Sequence, residues 1–270
     1  FLFRRFFAGF TGVGAQSESD AKRLVELGCN NKVVRVFGSC KFDGTGISRD
    51  RLLDVPNLLQ SLGVPEGAPL LVGGSTHNGE EEILARLAKR LRKKHPDLFL
   101  VLVPRHAERG REVGEALAGQ GVRFVYRNEI GGNSPRRERG SLDCLLVNTT
   151  GELKYFYEQA SVVFIGKSLT AEGGQNPIEP AGLAKAIVVG PHMGNFAEIT
   201  AKFLSQNAAI QVEDEAALES AIDNLLSDKA KRDALGQAAQ KVVQSNEGAV
   251  ERTVQMILSG TETAEMMQNY

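Results

Sequence analysis

Five short clusters of glycine and polar residues carry the residue types best suited to binding chemistry. In a parallel α/β sheet the carboxyl ends of the strands share one edge, and ligands bind in the crevice outside that edge. Each cluster directly follows an apolar run that is typical of a strand, so together they predict one ligand-binding crevice. The clusters are Gly73–Glu81 (GGSTHNGEE), Pro104–His106 (PRH), Asn148–Glu152 (NTTGE), Gly166–Pro180 (GKSLTAEGGQNPIEP) and Gly190–Glu198 (GPHMGNFAE).

The first two clusters offer groups for an anion. Ser75 and Thr76 lie between a predicted strand and an amphipathic helix, where unpaired backbone N–H groups and the helix dipole favour negative charge. Either hydroxyl could instead cap the helix. Arg105 follows a buried strand and Pro104, so its guanidinium could reach a phosphate or carboxylate, although simple exposure is the commoner fate of an arginine. His106 is more typical of a structural or solvated histidine.

The third cluster begins a helix. Gly151 and Glu152 mark its start, so Thr149 and Thr150 with their amides could hold a phosphate or a ribose. Helix capping explains the same composition equally well. The sequence contains neither a Walker loop nor a dinucleotide-binding glycine fingerprint.

The fourth cluster is the strongest indication of a binding site. A loop of fifteen residues before a very short helix costs stability unless it has a use. Glu179 falls in the first turn of that helix, from which a carboxylate can accept hydrogen bonds from both hydroxyls of a ribose. Pro177 and Pro180 would stiffen its presentation.

The elements that must position these clusters follow from the hydrophobic pattern. Short β-branched runs alternate with segments of helical periodicity, which predicts an α/β fold with a parallel sheet wrapped by helices. The predicted strands are Lys32–Gly38, Pro69–Gly73, Leu98–Val103, Val122–Tyr126, Leu142–Val147, Ser161–Ile165, Ala186–Val189 and Ala208–Val212. The predicted helices are Glu80–His95, Arg109–Ala118, Leu153–Ala160 and Phe196–Ser205, with a wholly helical stretch from Glu213 to about Leu258.

Composition narrows the class of protein. With 42% hydrophobic and 24% charged residues and a net charge of −1, the 270-residue chain is predicted to be globular and has no basic excess for nucleic acid. Cys29, Cys40 and Cys144 are widely spaced and odd in number, which favours reduced thiols. The histidines have neither i, i+4 partners nor carboxylates at ligand spacing, so no metal site is predicted. No apolar run reaches the roughly 20 residues of a membrane span.

Four segments are predicted along the chain. Residues 1–42 are predicted to belong to an amino-terminal domain, residues 43–68 to a linker with a first helix, residues 69–258 to the ligand-binding domain and residues 259–270 to a polar tail. In the first segment Ser17 and Asp20 begin a helix that Gly28 ends. The opening FLFRRFFAGF is interpreted as a helix of a larger domain, with membrane contact as the alternative.

Several stretches resemble the carboxyl-terminal domain of the Kdo transferases of lipopolysaccharide synthesis, enzymes that move 3-deoxy-D-manno-octulosonic acid (Kdo) from CMP-Kdo to a lipid A precursor. They read GGSTHNGEEE, LVLVPRHAERG, TTGELKYFY, GGQNPIEPAGLAK and GPHMGNFAEI. Upstream, AQSESDAKRLVELG and GSCKFD resemble the end of the family's first domain. The resemblance implies a GT-B architecture, with a Rossmann-like nucleotide-sugar-binding domain at residues 69–258 and a remnant of the acceptor domain at residues 1–42.

Carried onto this sequence, the resemblance implies a set of donor contacts. Most of them would touch CMP, with the ribose on Glu179, whereas Ser75, Thr76 and Lys41 would bind the phosphate or the sugar carboxylate. The substrate-binding residues so implied are Pro104, Arg105, Thr150, Gly151, Glu152, Asn176, Pro177, Ile178, Glu179, Ser75, Thr76 and Lys41.

The resemblance further implies transfer to lipid IVA with inversion and without a metal or other cofactor, CMP-Kdo being the donor substrate. Two departures matter. Gln175 stands where the family usually has a histidine, and the family's general base, a glutamate of the first domain, is expected upstream of Phe1. No catalytic residue is therefore assigned. We expect this chain, which we interpret as truncated, to bind CMP weakly without transferring Kdo.

The sequence leaves alternatives open for the activity, for the role of one basic loop and for the cellular location. The chain could be another GT-B enzyme that uses a UDP-sugar, or a non-catalytic nucleotide-sugar-binding module. The arginine-rich loop 128–141 is predicted to be a solvated insertion, and a basic lip beside an anionic lipid substrate is the alternative. The resemblance implies peripheral attachment to the cytoplasmic face of the inner membrane in a bacterium, or an organelle in a eukaryote. It leaves the oligomeric state open.

Overall fold

The computed structural model describes residues 2–44, 53–131 and 135–268. Its contacts divide the chain into two compact units, one combining residues 1–47 with residues 243–270 and the other formed by residues 48–242. The helices are α1 (Leu2–Phe7), α2 (Glu18–Leu27), α3 (Val55–Ser61), α4 (Glu80–Leu91), α5 (Gly110–Gly119), α6 (Leu153–Gln159), α7 (Ile178–Gly182), α8 (Ala197–Ser205), α9 (Glu215–Ser227), α10 (Lys229–Gln244) and α11 (Ala249–Gln268). The strands are β1 (Val13–Ala15), β2 (Val34–Val36), β3 (Leu70–Thr76), β4 (Phe99–Pro104), β5 (Phe124–Tyr126), β6 (Cys144–Leu146), β7 (Val162–Ile165), β8 (Ala186–Val189) and β9 (Ile210–Gln211).

The first unit contains a two-stranded parallel sheet of β1 and β2. Ser17 begins α2 by accepting a hydrogen bond from the Asp20 amide at 3.2 Å, and Gly28 ends it with a φ of 121°. Both predicted caps are confirmed. Strand β1 is absent from the sequence-based prediction because three residues are too few to show a strand's alternation.

The last helix, α11, packs within the first unit. The Asp43 carboxylate accepts hydrogen bonds from the amides of Gly248 (2.5 Å) and Val250 (2.6 Å), and the Arg252 guanidinium donates to the Phe37 carbonyl at 2.6 Å. The division by contacts therefore differs from the predicted boundary at residue 258. A helix also replaces the predicted tail from residue 259, and the good helix formers of the stretch 264–268 (Ala, Glu, two Met and Gln) favour it.

The second unit is built on a seven-stranded sheet in the order β5-β6-β4-β3-β7-β8-β9, and every pairing in it is parallel. The predicted α/β class is confirmed, and each predicted strand overlaps an observed one. All seven strands therefore end at the same edge of the sheet.

The core of this unit lies between the sheet and helices α4, α5 and α9. Leu71 and Leu100 on the strands are buried, because helices cover the faces of a parallel sheet. On α4, Leu84, Leu87 and Leu91 recur at helical spacing and face the same core. The core thereby fixes the strand ends that carry the polar clusters.

The arginine-rich loop runs away from those strand ends. The Arg137 amide donates to the Ser61 carbonyl at 2.8 Å, and Arg139 pairs with Asp97, which lies just before β4. Arg137 and Arg139 therefore lie at the amino edge of the sheet, and the alternative of a basic lip beside an anionic lipid substrate stays a prediction. Residues 132–134 of this loop lie outside the described residues, as does the stretch 45–52 of the predicted linker.

Two cavities also lie at the amino edge. One of about 350 Å³ is lined by Phe99 and Asp143 near strand starts, and one of about 550 Å³ by Ala68 and Gln159. Neither contains a residue of the five clusters. None of the helices in the described ranges combines the length and apolar character that a bilayer crossing requires.

Candidate functional site

The five polar clusters follow strands that are neighbours in the sheet. The first cluster lies at the end of β3, the second at the end of β4, the third after β6, the fourth after β7 and the fifth after β8. In the sheet these five strands are adjacent in the order β6, β4, β3, β7, β8. Because the strands are parallel, the clusters share one edge, as the sequence predicts. We call the space outside this edge the carboxyl-edge crevice.

The loops of the crevice are joined by close backbone contacts. The Gly166 amide donates to the Gly74 carbonyl at 2.9 Å, and a Cβ placed on Gly166 would lie 2.3 Å from the Ser75 carbonyl oxygen. A Cβ on Gly190 would lie 2.1 Å from the Ser168 carbonyl oxygen. Glycine is therefore required at both positions so that the backbones can approach.

Glu80 joins the loop after β3 to the loop after β7. Its carboxylate is fully buried, with Oε1 accepting from the amides of Ser168 (2.9 Å) and Leu169 (3.0 Å). Oε2 accepts from the amides of His77 and Lys167, both at 2.8 Å. Four backbone donors from two loops thus converge on one side chain, which we call the Glu80 clamp.

A second buried carboxylate, Glu81, lies beside the clamp. Thr76 donates its hydroxyl to Glu81 Oε1 at 2.9 Å, and Arg109 Nη1 donates to the same oxygen at 2.8 Å. Burial raises the pKa of Glu81, and the hydrogen bond from Arg109 opposes that shift. The Thr76 side chain is fully buried in this network, so its predicted role as a phosphate or carboxylate ligand is wrong.

The start of α4 also differs from the prediction. Strand β3 continues through Thr76 and the helix begins at Glu80 after Gly79, so neither Ser75 nor Thr76 caps it. Three glutamates occupy the first turn and already compensate the positive end of the helix dipole, so the dipole itself is not the basis of an anion site. Ser75 sits at an irregularity of β3 in a left-handed conformation with a φ of 53°.

The second cluster leaves an arginine exposed at the crevice. Pro104 is buried and pairs with Thr76, and the Arg105 amide donates to the Thr76 carbonyl at 3.0 Å. In the part of the chain that the structure describes, the Arg105 guanidinium forms no ion pair. Its exposure agrees with both sequence-based alternatives, and the role of Arg105 in binding an anion stays a prediction.

In the third cluster Glu152 is already paired. Arg127 Nη2 donates to Glu152 Oε1 at 3.0 Å, and the Thr149 hydroxyl donates to Oε2 at 2.5 Å. A ligand would have to compete with this ion pair for the carboxylate. Thr150 and Gly151 are exposed, and Gly151 has a φ of 81° with open space around it. The role of Arg127 is missed by the sequence reasoning, since nothing in the pattern links it to Glu152.

The fourth cluster presents Glu179 as predicted, on the first turn of α7. Asn176 accepts from the Ile178 amide at 3.0 Å, and its Nδ2 donates to Glu179 Oε1 at 3.3 Å. Glu179 is exposed, whereas Pro177 and Ile178 are buried, so their side chains cannot contact a ligand. Lys41 lies on the 3-10 turn Cys40–Phe42 of the first unit.

The shifted pKa of His77 predicts a pH dependence of stability. Burial lowers the pKa of His77; Glu80 opposes the shift, and the charge of Lys167 adds to it. A lowered pKa in the folded state means that the protein is most stable above the usual histidine value of about 6.5 and loses stability as the pH falls through the folded-state value.

We therefore expect a His77→Gln variant to lose less stability than the wild type between pH 7.5 and pH 5. Midpoints of urea unfolding at the two pH values measure this difference. His106→Gln is the matched control, because the His106 ring lies 6.1 Å from that of His77 and its side chain is 55% exposed. Equal acid losses in His77→Gln and the wild type would contradict the expectation.

Comparison with known proteins finds a family profile, curated relatives and solved structures to which this chain is similar. The family profile described as 3-Deoxy-D-manno-octulosonic-acid transferase (kdotransferase) matches residues 1–44. The 3-deoxy-D-manno-octulosonic acid transferase of Haemophilus influenzae is 32% identical over 248 residues, covering 91% of this chain and 56% of that protein. The solved C-terminal CMP-Kdo binding domain of WaaA from Acinetobacter baumannii superposes with a TM-score of 0.63 and 28% identity, covering 70% of this chain and 95% of that domain.

The chain is a relative of the Kdo transferases. It spans little more than half the length of the H. influenzae transferase. A putative UDP-N-acetylglucosamine 2-epimerase from Listeria monocytogenes also matches, with a TM-score of 0.61 and 15% identity over 94% of this chain and 60% of that one, which concerns the fold alone. The architecture of this Kdo transferase relative is GT-B, with the seven-stranded sheet as its Rossmann-like part. Among the described residues, no group of three or more His, Cys, Asp or Glu is placed to hold a metal ion.

Proposed function

We propose that the carboxyl-edge crevice binds CMP-Kdo and that the protein serves as the donor-binding part of a Kdo transferase. The observation that carries the proposal is the exposed Glu179 carboxylate, held by Asn176 on the first turn of α7. The name of the A. baumannii domain, a CMP-Kdo binding domain, indicates the ligand class that such a crevice would take.

In this proposal each part of the crevice has one task. Glu179 accepts hydrogen bonds from the 2′- and 3′-hydroxyls of the ribose, which fixes the nucleoside. The exposed Arg105 guanidinium offsets the negative charge of the phosphate. The glycines that bring the loops together hold these groups at fixed spacing, so little ordering remains to be done when the donor binds.

The finer features of the reaction are part of the same proposal. Transfer to a lipid A precursor such as lipid IVA, inversion at the anomeric carbon and the absence of a metal follow from the family resemblance. So does peripheral contact with the inner membrane or an organellar membrane. The CMP-Kdo assignment itself predicts that CMP binds more tightly than UMP or UDP-N-acetylglucosamine.

Replacing Glu179 with alanine should weaken CMP binding about 10- to 100-fold, because hydrogen bonds to a charged carboxylate contribute roughly 1.5–3 kcal/mol. Isothermal titration calorimetry with CMP and with 2′-deoxy-CMP measures this. Wild-type protein should prefer CMP, and Glu179→Ala should reduce that preference, because it loses two hydrogen bonds to CMP but only the one from the 3′-hydroxyl to 2′-deoxy-CMP.

Glu172→Ala is the matched control, since Glu172 is an exposed carboxylate of the same loop. It should bind both nucleotides like the wild type. A wild-type preference for UMP or UDP-N-acetylglucosamine over CMP would reject the donor assignment in favour of another GT-B activity. Unchanged CMP affinity in Glu179→Ala would show that the Glu179 carboxylate does not bind CMP.

A further inference from the structure

Lys167 has an unusual backbone conformation at the centre of the carboxyl-edge crevice. It follows Gly166 at the end of β7 and has a φ of 56°, in the left-handed region that residues with a Cβ seldom adopt. Its amide donates to Glu80 Oε2 at 2.8 Å, and its carbonyl accepts from the Gly174 amide at 2.7 Å. Such conformations persist where the surroundings impose them, and they cluster at functional sites.

The side chain of Lys167 brings an uncompensated charge to this place. Its Cε lies 3.5 Å from the position that a Cβ on Gly173 would take, so the chain runs along the fourth cluster. No ion pair or hydrogen bond to the ammonium group occurs within the described ranges. Arg109, by contrast, is neutralised by Glu81 at 2.8 Å and Glu112 at 3.1 Å.

An orphaned polar atom lies near this charge. His77 Nε2 is buried and has no hydrogen-bond partner among the described residues, whereas such atoms in proteins are nearly always paired. The backbone amides of His77 and Lys167 both donate to Glu80 Oε2 at 2.8 Å, so the two residues are neighbours across the clamp. The positive charge of Lys167 also helps to lower the pKa of His77. Because Nε2 is shielded from solvent, a ligand with negatively charged oxygens satisfies both groups when the His77 ring turns towards it.

We propose that Lys167 and His77 form an anion subsite of the carboxyl-edge crevice and that Lys167 determines specificity for a donor with a phosphate or carboxylate group. The inference rests on the proposed function, because a CMP-linked sugar acid carries both anions. The left-handed conformation and the Glu80 clamp fix the backbone from which the Lys167 side chain extends. His77 donates the second hydrogen bond through Nε2.

Lys167→Met removes the charge and keeps the Cβ, so the backbone strain stays as it is. Calorimetric titration with CMP, free Kdo and inorganic phosphate distinguishes the two anions. The variant should bind the recognised anion about 10- to 100-fold more weakly, the effect of losing one charge-assisted hydrogen bond. A loss for CMP and inorganic phosphate assigns the phosphate, and a loss for Kdo alone assigns the carboxylate.

Lys89→Met is the matched control, because Lys89 is an exposed lysine on the last turn of α4. It should leave every affinity within about twofold of the wild type. Equal affinities of Lys167→Met and wild type for all three ligands would overturn the inference while leaving CMP binding by the wild type intact. If Lys167→Met weakens phosphate binding but the wild type prefers UMP to CMP, the subsite stands and the donor assignment falls.

A second variant separates binding from a structural role. Lys167→Gly also removes the charge but relieves the left-handed strain, so its unfolding temperature should equal or exceed that of the wild type while its anion affinity falls like that of Lys167→Met. A lower unfolding temperature with unchanged affinity would show a structural lysine and overturn the proposal. Lys167→Arg should retain most of the affinity, because it keeps the charge.

Discussion

A Glu80→Ala variant is expected to lose about 4 kcal/mol of the free energy of unfolding, the largest effect that we predict for this protein. The substitution strips the partner from four backbone amides, and each donor left unsatisfied in the interior costs about 1–3 kcal/mol. Water that enters the vacated space recovers part of that cost. Equilibrium unfolding in urea, followed by circular dichroism, measures the difference.

Glu82→Ala is the control on the same turn of the same helix. Glu82 Oε2 is buried without a hydrogen-bond partner among the described residues. Truncating this side chain therefore leaves no known hydrogen-bond donor unsatisfied. We expect a change below about 1 kcal/mol, of which the weakened helix dipole interaction is a part. Similar losses in Glu80→Ala and Glu82→Ala would show that the clamp adds no more stability than an ordinary first-turn glutamate.

Gly190→Ala should lower the free energy of unfolding by about 3 kcal/mol, in the upper range of overpacking substitutions. The added Cβ would lie 2.1 Å from the oxygen and 2.4 Å from the carbon of the Ser168 carbonyl. Those atoms are backbone and are held by the clamp through the Ser168 amide, so they cannot move aside cheaply. We also expect weaker CMP binding, since relief of the clash would push the fourth and fifth clusters apart.

The same loop provides the comparison for this variant. Gly194 has nothing within 4 Å of the position of a Cβ, so Gly194→Ala should change the free energy of unfolding by less than about 1 kcal/mol and leave CMP affinity unchanged. Urea unfolding and calorimetry on both variants provide the test. Equal free energies of unfolding for Gly190→Ala and Gly194→Ala would show that the two loops can move apart without loss of stability.

Hydrophobic runs predict the sheet well because burial on both faces leaves little freedom in composition. The runs Pro69–Gly73, Leu98–Val103 and Ser161–Ile165 lie within one or a few residues of β3, β4 and β7. The position of the crevice follows from the same runs, since parallel strands place their ends together. The location of Arg105 and Glu179 at this edge could be predicted, because it depends only on their positions in the sequence: Arg105 directly follows a strand and Glu179 lies at a helix start.

The roles of buried polar side chains could not be read from the pattern. Glu80 and Glu81 look like solvent-facing charges at a helix start, yet contacts with residues 28 to 89 positions away in the chain bury both carboxylates. The hydrogen bond to Glu81 likewise buries the Thr76 hydroxyl, so a ligand cannot reach it. The sequence does not single out Lys167, because the strain that marks it is a property of φ, which residue type does not reveal.

All the hydrogen-bond-accepting positions of the Glu80 carboxylate are occupied, and this affects the acid–base chemistry possible in the crevice. Two oxygens offer about four lone-pair positions, and four amides occupy them in pairs. A carboxylate in that state has no lone pair left with which to take a proton from an attacking hydroxyl. Glu80 can thus lie at the centre of the crevice without being the general base of a transfer reaction, and deprotonation of an acceptor falls to another group.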